Sequence, residues 1–184
     1  MKDFSIKLTR RSSAPPEALY DSLADLRTHA TWGGSKQFYN FRLRSLEAPA
    51  GPASVGTSFT STGTIPMSLR RFVDHSKVTV AERPHIFEFV TDATVPKGKR
   101  SMAATYRHRY EVIATPEGSE VTYTMTQLSA SNLMLRLSLP GVRAMTWGAA
   151  IPFMAGRGFR NLLADTERDS ALENASQLSP QVNR

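Results

Sequence analysis

Met102-Ala103-Ala104-Thr105-Tyr106-Arg107-His108-Arg109-Tyr110-Glu111-Val112 and, after the break Thr115-Pro116-Glu117-Gly118, Val121-Thr122-Tyr123-Thr124-Met125-Thr126-Gln127 form the stretch on which the fold turns. In the first run Met102, Ala104, Tyr106, His108, Tyr110 and Val112 point one way and Arg107, Arg109 and Glu111 the other, the period of a half-buried strand. In the second, Val121, Tyr123, Met125 and Gln127 share a face opposite Thr122, Thr124 and Thr126. Proline and glycine in the break mark a hairpin turn. Paired strands are therefore predicted, with rings, an imidazole and an amide on their common inner face.

Downstream the period changes. Ile151, Met154, Ala155, Gly158, Phe159, Leu162, Leu163 and Thr166 recur at helical spacing, which predicts an amphipathic helix from about Ala150 to Leu172. Gly156 and Gly158 disfavour helix in isolation but permit close packing. Residues Ser176 to Arg184 read as a flexible tail after a domain covering 1–175. A lone helix after a run of strands must bury its apolar stripe on the inner face of the sheet. If the sheet curls around the helix, a concave space remains between them.

Upstream, strands alternate almost without interruption. Phe4, Ile6 and Leu8 alternate with Ser5, Lys7 and Thr9 in strand one, and Ser12-Ser13-Ala14-Pro15-Pro16-Glu17 starts a helix with its prolines in the first turn. Leu19, Tyr20, Leu23 and Leu26 form its apolar face, and Trp32-Gly33-Gly34 ends this region. Strand two puts Phe41, Leu43 and Ser45 on one face. Strand three, from about Val55 to Thr62, does so with Val55, Thr57 and Phe59. Strand four is expected over Met67–Glu82, with a bulge or break near Asp74-His75-Ser76. Strand five sets Phe87, Phe89 and Thr91 against Ile86, Glu88, Val90 and Asp92.

At 184 residues the chain fits one domain able to bury roughly 70% of its unfolded surface. With no cysteine there is no disulfide, thiolate nucleophile or cysteine–zinc site. The N-terminus lacks the apolar core of a signal peptide, so the cytoplasm is the expected location. A net charge of +7 reads first as lysines and arginines coating solvent faces; it leaves open contact with an anionic membrane or an acidic partner protein. The basic clusters fall on strands and turns, none on a recognition helix, which argues against nucleic acid. No Walker loop, G-x-S-x-G elbow, H-E-x-x-H or complete dinucleotide fingerprint is present, so no cofactor is expected. His29, His75, His85 and His108 are not at paired ligand spacing, so no metal site is expected either.

Local motifs carry a family resemblance. Ala14-Pro15-Pro16-Glu17-Ala18-Leu19-Tyr20-Asp21 with Leu26 and Trp32, Val55-Gly56-Thr57, and Val78-Thr79-Val80-Ala81-Glu82-Arg83-Pro84-His85-Ile86-Phe87-Glu88-Phe89 sit within the order strand, helix pair, six-strand meander, long helix. Together they resemble the START/Bet v 1-like (SRPBCC) superfamily, especially its polyketide cyclase/dehydrase branch, over about residues 3 to 172. The resemblance implies an α+β helix-grip fold: a seven-stranded curved antiparallel sheet around a long C-terminal helix, with two short helices after strand one. It also implies a cavity for hydrophobic molecules such as lipids, sterols or polyketides. No catalytic motif of the branch aligns with this sequence, so no catalytic role is carried over.

The candidate ligand-binding residues are Trp32, Phe59, Phe87, Phe89, Tyr106, His108, Tyr110, Tyr123, Met125, Gln127, Trp147, Met154 and Phe159. A mostly apolar pocket with a few polar groups suits a small molecule. Alternatively, Tyr106, His108, Tyr110, Tyr123 and Gln127 satisfy one another in a half-buried core, their rings filling volume. His108 and Tyr106 are the catalytic candidates, the imidazole as base and a tyrosine stabilising an enolate. The apolar segment Leu133–Trp147 is too interrupted by Arg136, Pro140-Gly141 and Arg143 to span a membrane and reads as a lid over the cavity. Three functions follow: binding or transport of a small hydrophobic ligand; cyclase, aromatase or dehydratase chemistry on a polyketide-like chain; or a membrane-surface or protein-interaction module.

Overall fold

Phe4–Ser12 (β1), Arg42–Glu47 (β2), Ser58–Thr64 (β3), Arg71–Glu82 (β4), Ile86–Lys97 (β5), Arg100–Thr115 (β6) and Gly118–Ala130 (β7) form one antiparallel sheet in the order β1-β7-β6-β5-β4-β3-β2. These elements come from a computed structural model that describes residues 4–35, 42–64, 70–97, 100–131, 148 and 151–178. Between β1 and β2 lie the helix Pro16–Ala24 (α1), a 3-10 turn at Leu26–Thr28 and a π-helical turn at Thr31–Ser35. The helix Ile151–Leu178 (α2) lies against the inner face of the sheet, touching β1, α1 and the π-helical turn. This is the α+β, seven-stranded architecture with a long C-terminal helix expected from the sequence.

Among the described residues three bulges interrupt the ladders. Arg44 is the extra residue of β2 opposite β3, Thr79 that of β4 opposite β5, and Leu128 that of β7 opposite β6. A bulge bends its strand and strengthens the local twist, which helps a long sheet curl around a helix. The Arg44 bulge corrects the expected face of β2. Ser45 is exposed and bonds Thr62 at 2.7 Å, while Leu43 and Leu46 turn inward; Phe41 lies outside the described residues. The irregularity of β4 falls at Thr79 and not at Asp74–Ser76, because Phe72, Asp74, Ser76 and Val78 keep one unbroken inward parity. Strand β3 starts only at Ser58. Gly56 takes a positive φ of 92° in the preceding turn, and Val55 is 64% exposed there, so it shares no inner face with Phe59.

The core lies beneath α1. Leu19, Leu23, Leu26, Val78, Phe87, Val112, Val121 and Leu162 are all at most 1% exposed, and Tyr20 meets Phe87 edge to face with centroids 5.9 Å apart. Each such side chain contributes about 1.5–3 kcal/mol by leaving water. Polar contacts fasten α2 to the β1–α1 segment: Glu167 accepts from Ser12 Oγ (2.8 Å) and the Ser13 amide (3.1 Å), and Thr166 Oγ1 donates to Ser22 Oγ (3.0 Å). The helix runs on to Leu178, past Ser176 where the tail was expected to start; 179–184 lie outside the described residues. Residues 171–177 are exposed throughout, so the buried stripe ends at Thr166.

Candidate functional site

Inward parity brings Phe59 of β3, Asp74 and Ser76 of β4, Phe89 and Thr91 of β5, and Tyr106, His108 and Tyr110 of β6 toward α2. Two adjoining spaces lie among them, of about 200 Å³ and about 360 Å³, both walled by Asp74, Thr91, His108, Tyr123 and Ala155. Trp32, Phe59, Phe89, Tyr110 and Phe159 also wall the smaller space; Tyr106, Met125 and Met154 line the larger. A wider cleft of about 500 Å³ lies at the opposite end of β1 and β7, but Arg11, Ser12, Ser13, the β6–β7 turn and Glu167 line it and, among the described residues, no aromatic ring does.

Ten of the candidate binding residues, His108 among them, thus converge on these two spaces. Phe87 does not. It is fully buried in the core against Tyr20, one pleat beyond the cavity wall. Gln127 stands opposite Tyr106 and Phe4, half-buried beside the Leu128 bulge, and lines neither space. Trp147 and the segment Leu133–Trp147 lie outside the described residues.

Aromatic stacking organises the wall. His108 lies nearly parallel to Phe89 (centroids 4.7 Å apart, planes 14° apart), and Phe89 meets Phe59 edge to face at 5.4 Å. The Nδ1 atom of His108 is 2.8 Å from the Tyr123 hydroxyl oxygen, and Tyr123 stacks on Tyr110 at 4.7 Å. Part of the expected polar group therefore satisfies itself while also lining the cavity. Burial, and to a smaller degree the nearby His29, pushes the His108 imidazole down to about 4, so the ring is neutral at pH 7. Burial raises the Tyr123 and Tyr110 hydroxyls; for Tyr106 the raising causes are burial and then the Asp74 carboxyl.

Two titratable residues of this region were not singled out from the sequence. His29 is buried beside Trp32 (4.5 Å between centroids), Phe59 (5.7 Å) and Phe89 (5.8 Å), and its Nε2 donates to the Leu23 carbonyl at 3.1 Å. Burial pushes it, too, down to about 4. Asp74 is the more consequential. Its Oδ1 is buried without a hydrogen-bond partner, and burial raises the carboxyl to about 7. The signal was present in the alternation Phe72, Asp74, Ser76, Val78, which sets one acid on an apolar face. Among the described residues no three histidine or carboxylate side chains are grouped to hold a metal ion, and no helix is long and apolar enough to cross a membrane.

No family model and no curated protein matches the sequence. Solved structures do match in fold. A protein from Rhizobium leguminosarum superposes with a TM-score of 0.66 at 10% identity, covering 91% of this chain and 96% of its own. One from Chromobacterium violaceum gives 0.59 at 14% identity, over 89% and 97%. DynU16, a protein of the dynemicin biosynthetic locus, gives 0.51 at 15% identity, over 88% of this chain and 48% of DynU16. At such identities the likeness is one of fold.

Proposed function

We propose that this chain is a START/Bet v 1-like protein that binds a small hydrophobic molecule, lipid-, sterol- or polyketide-like, between the sheet and α2. One observation carries the reading: aromatic rings from β3, β5, β6 and α2 wall a space that also holds an unpartnered carboxyl, the mixture of apolar surface and a few orienting groups typical of ligand pockets. Native mass spectrometry of gently purified protein tests it. A co-purifying small molecule that is lost from a Phe89→Ala variant is expected. A bare mass, together with no uptake of hydrophobic probes by the wild type, refutes the reading.

The placement of Asp74, on the wall of both spaces with Oδ1 unpartnered, favours cyclase-like chemistry as the second reading. A base works best with a pKa near the operating pH, and Asp74, raised to about 7, meets that condition where His108, lowered to about 4, does not. The likeness to a protein of a biosynthetic locus is compatible with such a role. In that case Asp74 takes a proton from the carbon next to a ligand carbonyl, and Tyr106, on the wall of the same space, donates a hydrogen bond to the enolate oxygen. Product formation from a polyketide-like chain that is lost in Asp74→Asn and kept in His108→Gln supports it. Loss in His108→Gln with Asp74→Asn unaffected assigns the base to His108 instead.

A further inference from the structure

Asp74 is the only side chain on the described walls of the two spaces that carries a full charge when ionised near neutral pH. From neighbouring elements the walls are shared by Phe59 and Ser61 of β3, Phe89, Thr91 and Ala93 of β5, Tyr106 and His108 of β6, Tyr123 of β7, and Met154 and Ala155 of α2, with Ser61 and Ala93 directly opposite Asp74. None of the described lining residues is a lysine or arginine, and the two imidazoles, His29 and His108, are neutral at pH 7. Desolvation raises the Asp74 carboxyl, and no cation among the described residues offsets it.

A carboxylate largely withdrawn from water, with one oxygen left without a donor, is costly, and a ligand that supplies both a positive charge and N–H donors lowers that cost. A ligand carboxylate does the reverse, placing a second negative charge where no described lining residue compensates the first. The rings of Phe72 and Tyr106, which line the same space as Asp74, also favour a cation held against them.

Resting on the reading of the cavity as a ligand site, we infer that it selects basic amphiphiles: molecules with an apolar, ring-bearing body that lies along Phe59, Phe89 and His108 and a protonated amine that pairs with Asp74. Fatty acids and other anionic lipids are excluded by the same group.

The test uses three probes of similar body and different head, 2-(2-naphthyl)ethylamine, 2-(2-naphthyl)ethanol and 2-naphthylacetate, titrated calorimetrically into the full chain at pH 8. The amine should bind at least tenfold more tightly than the alcohol, and the acetate more weakly than the alcohol. Asp74→Asn should abolish the amine's advantage over the alcohol. A wild-type measurement guards against a variant that fails to fold: the amine-to-alcohol ratio should collapse between pH 8 and pH 5.5. Asp74 is the one group on the described wall with a pKa in that window, since His29 and His108 titrate near 4 and the tyrosines above it. Equal affinity for amine and acetate, tighter binding of the alcohol than the amine, or an unchanged order in Asp74→Asn would overturn the charge selectivity while leaving ligand binding intact. Failure of all three probes to bind would overturn both.

Discussion

The Nδ1 atom of His108 and the hydroxyl of Tyr123, on adjacent strands β6 and β7, are 2.8 Å apart, and the His108 imidazole stacks on Phe89. Register dictates this pair: His108 stands directly opposite Met125, so Tyr123 is the diagonal neighbour two residues away on the same face. Because both groups are largely withdrawn from water, losing one leaves the other unsatisfied. Tyr123→Phe should therefore destabilise the fold by about 1–3 kcal/mol in urea unfolding. The double variant Tyr123→Phe/His108→Phe, which removes both polar partners, should lose less than the two single changes added together. Strict additivity would mean that the bond contributes nothing.

Asp74 and the two buried histidines oppose one another with pH. The histidines fall from 6.5 to about 4 on folding, so their stabilisation is complete above pH 6.5 and is lost as pH drops through 4. Asp74 rises from 3.8 to about 7, so its contribution is complete below pH 3.8 and is lost as pH climbs through 7. Asp74→Asn removes the second effect alone. Allowing for water in the cavity, the variant should exceed wild type by about 1–3 kcal/mol at pH 8, roughly 2–10 °C in Tm. That difference should shrink steadily toward pH 4. A variant less stable than wild type at pH 8 would show that the carboxylate is compensated in the folded protein.

Gly156 sits inside α2 with ordinary helical surroundings. A Cβ there would meet Leu8 Cδ1 at 3.7 Å and Arg160 Nη1 at 3.9 Å, both normal van der Waals contacts. The close packing that the sequence suggested for this glycine is therefore not sterically required. Alanine loses less backbone entropy in a helix interior, so Gly156→Ala should stabilise by about 0.5–1 kcal/mol, a Tm increase of roughly 1–4 °C. A decrease would mean that α2 sits closer to β1 than this spacing allows.

The hairpin of β6 and β7, strand five and the stripe of α2 were legible because each depends on local alternation: Phe87, Tyr110, Val112, Val121, Phe159 and Leu162 are all buried where their parity or spacing puts them. The bulges at Arg44, Thr79 and Leu128 were not, since a bulge is a mismatch between two strands and leaves no mark on one of them alone. Asp74 was obscured for the opposite reason. An acid on an inner face contradicts the pattern, and reading that contradiction as a break in β4 hid the feature that distinguishes the cavity. His29 escaped notice because its burial is set by Phe59 and Phe89, some 30 and 60 residues further along the chain.

Gly118 contrasts with Gly156 in both respects. It opens β7 with φ at 136°, a conformation that side chains rarely adopt, and a Cβ there would collide with the Ser12 carbonyl oxygen and lie 2.7–2.8 Å from the Ser13 backbone. The neighbouring atoms belong to the chain passing from β1 into α1, which is itself fixed: Ser119 Oγ donates to the Ala14 carbonyl at 2.8 Å, and Glu167 of α2 holds Ser12 and Ser13. No flexible side chain is available to yield, so relief requires moving backbone that joins the sheet edge to both helices. Gly118→Ala should cost more than the roughly 1–2 kcal/mol of the left-handed backbone penalty alone and lower Tm by at least about 4 °C. Hydrogen exchange should locate the loss in the amides of Ser12–Ala14 and in the first residues of β7, while the amides of β3 and β4 keep their protection. A Tm within 1 °C of wild type would show that the β6–β7 turn can shift away from Ser12 without disturbing the attachment of α1.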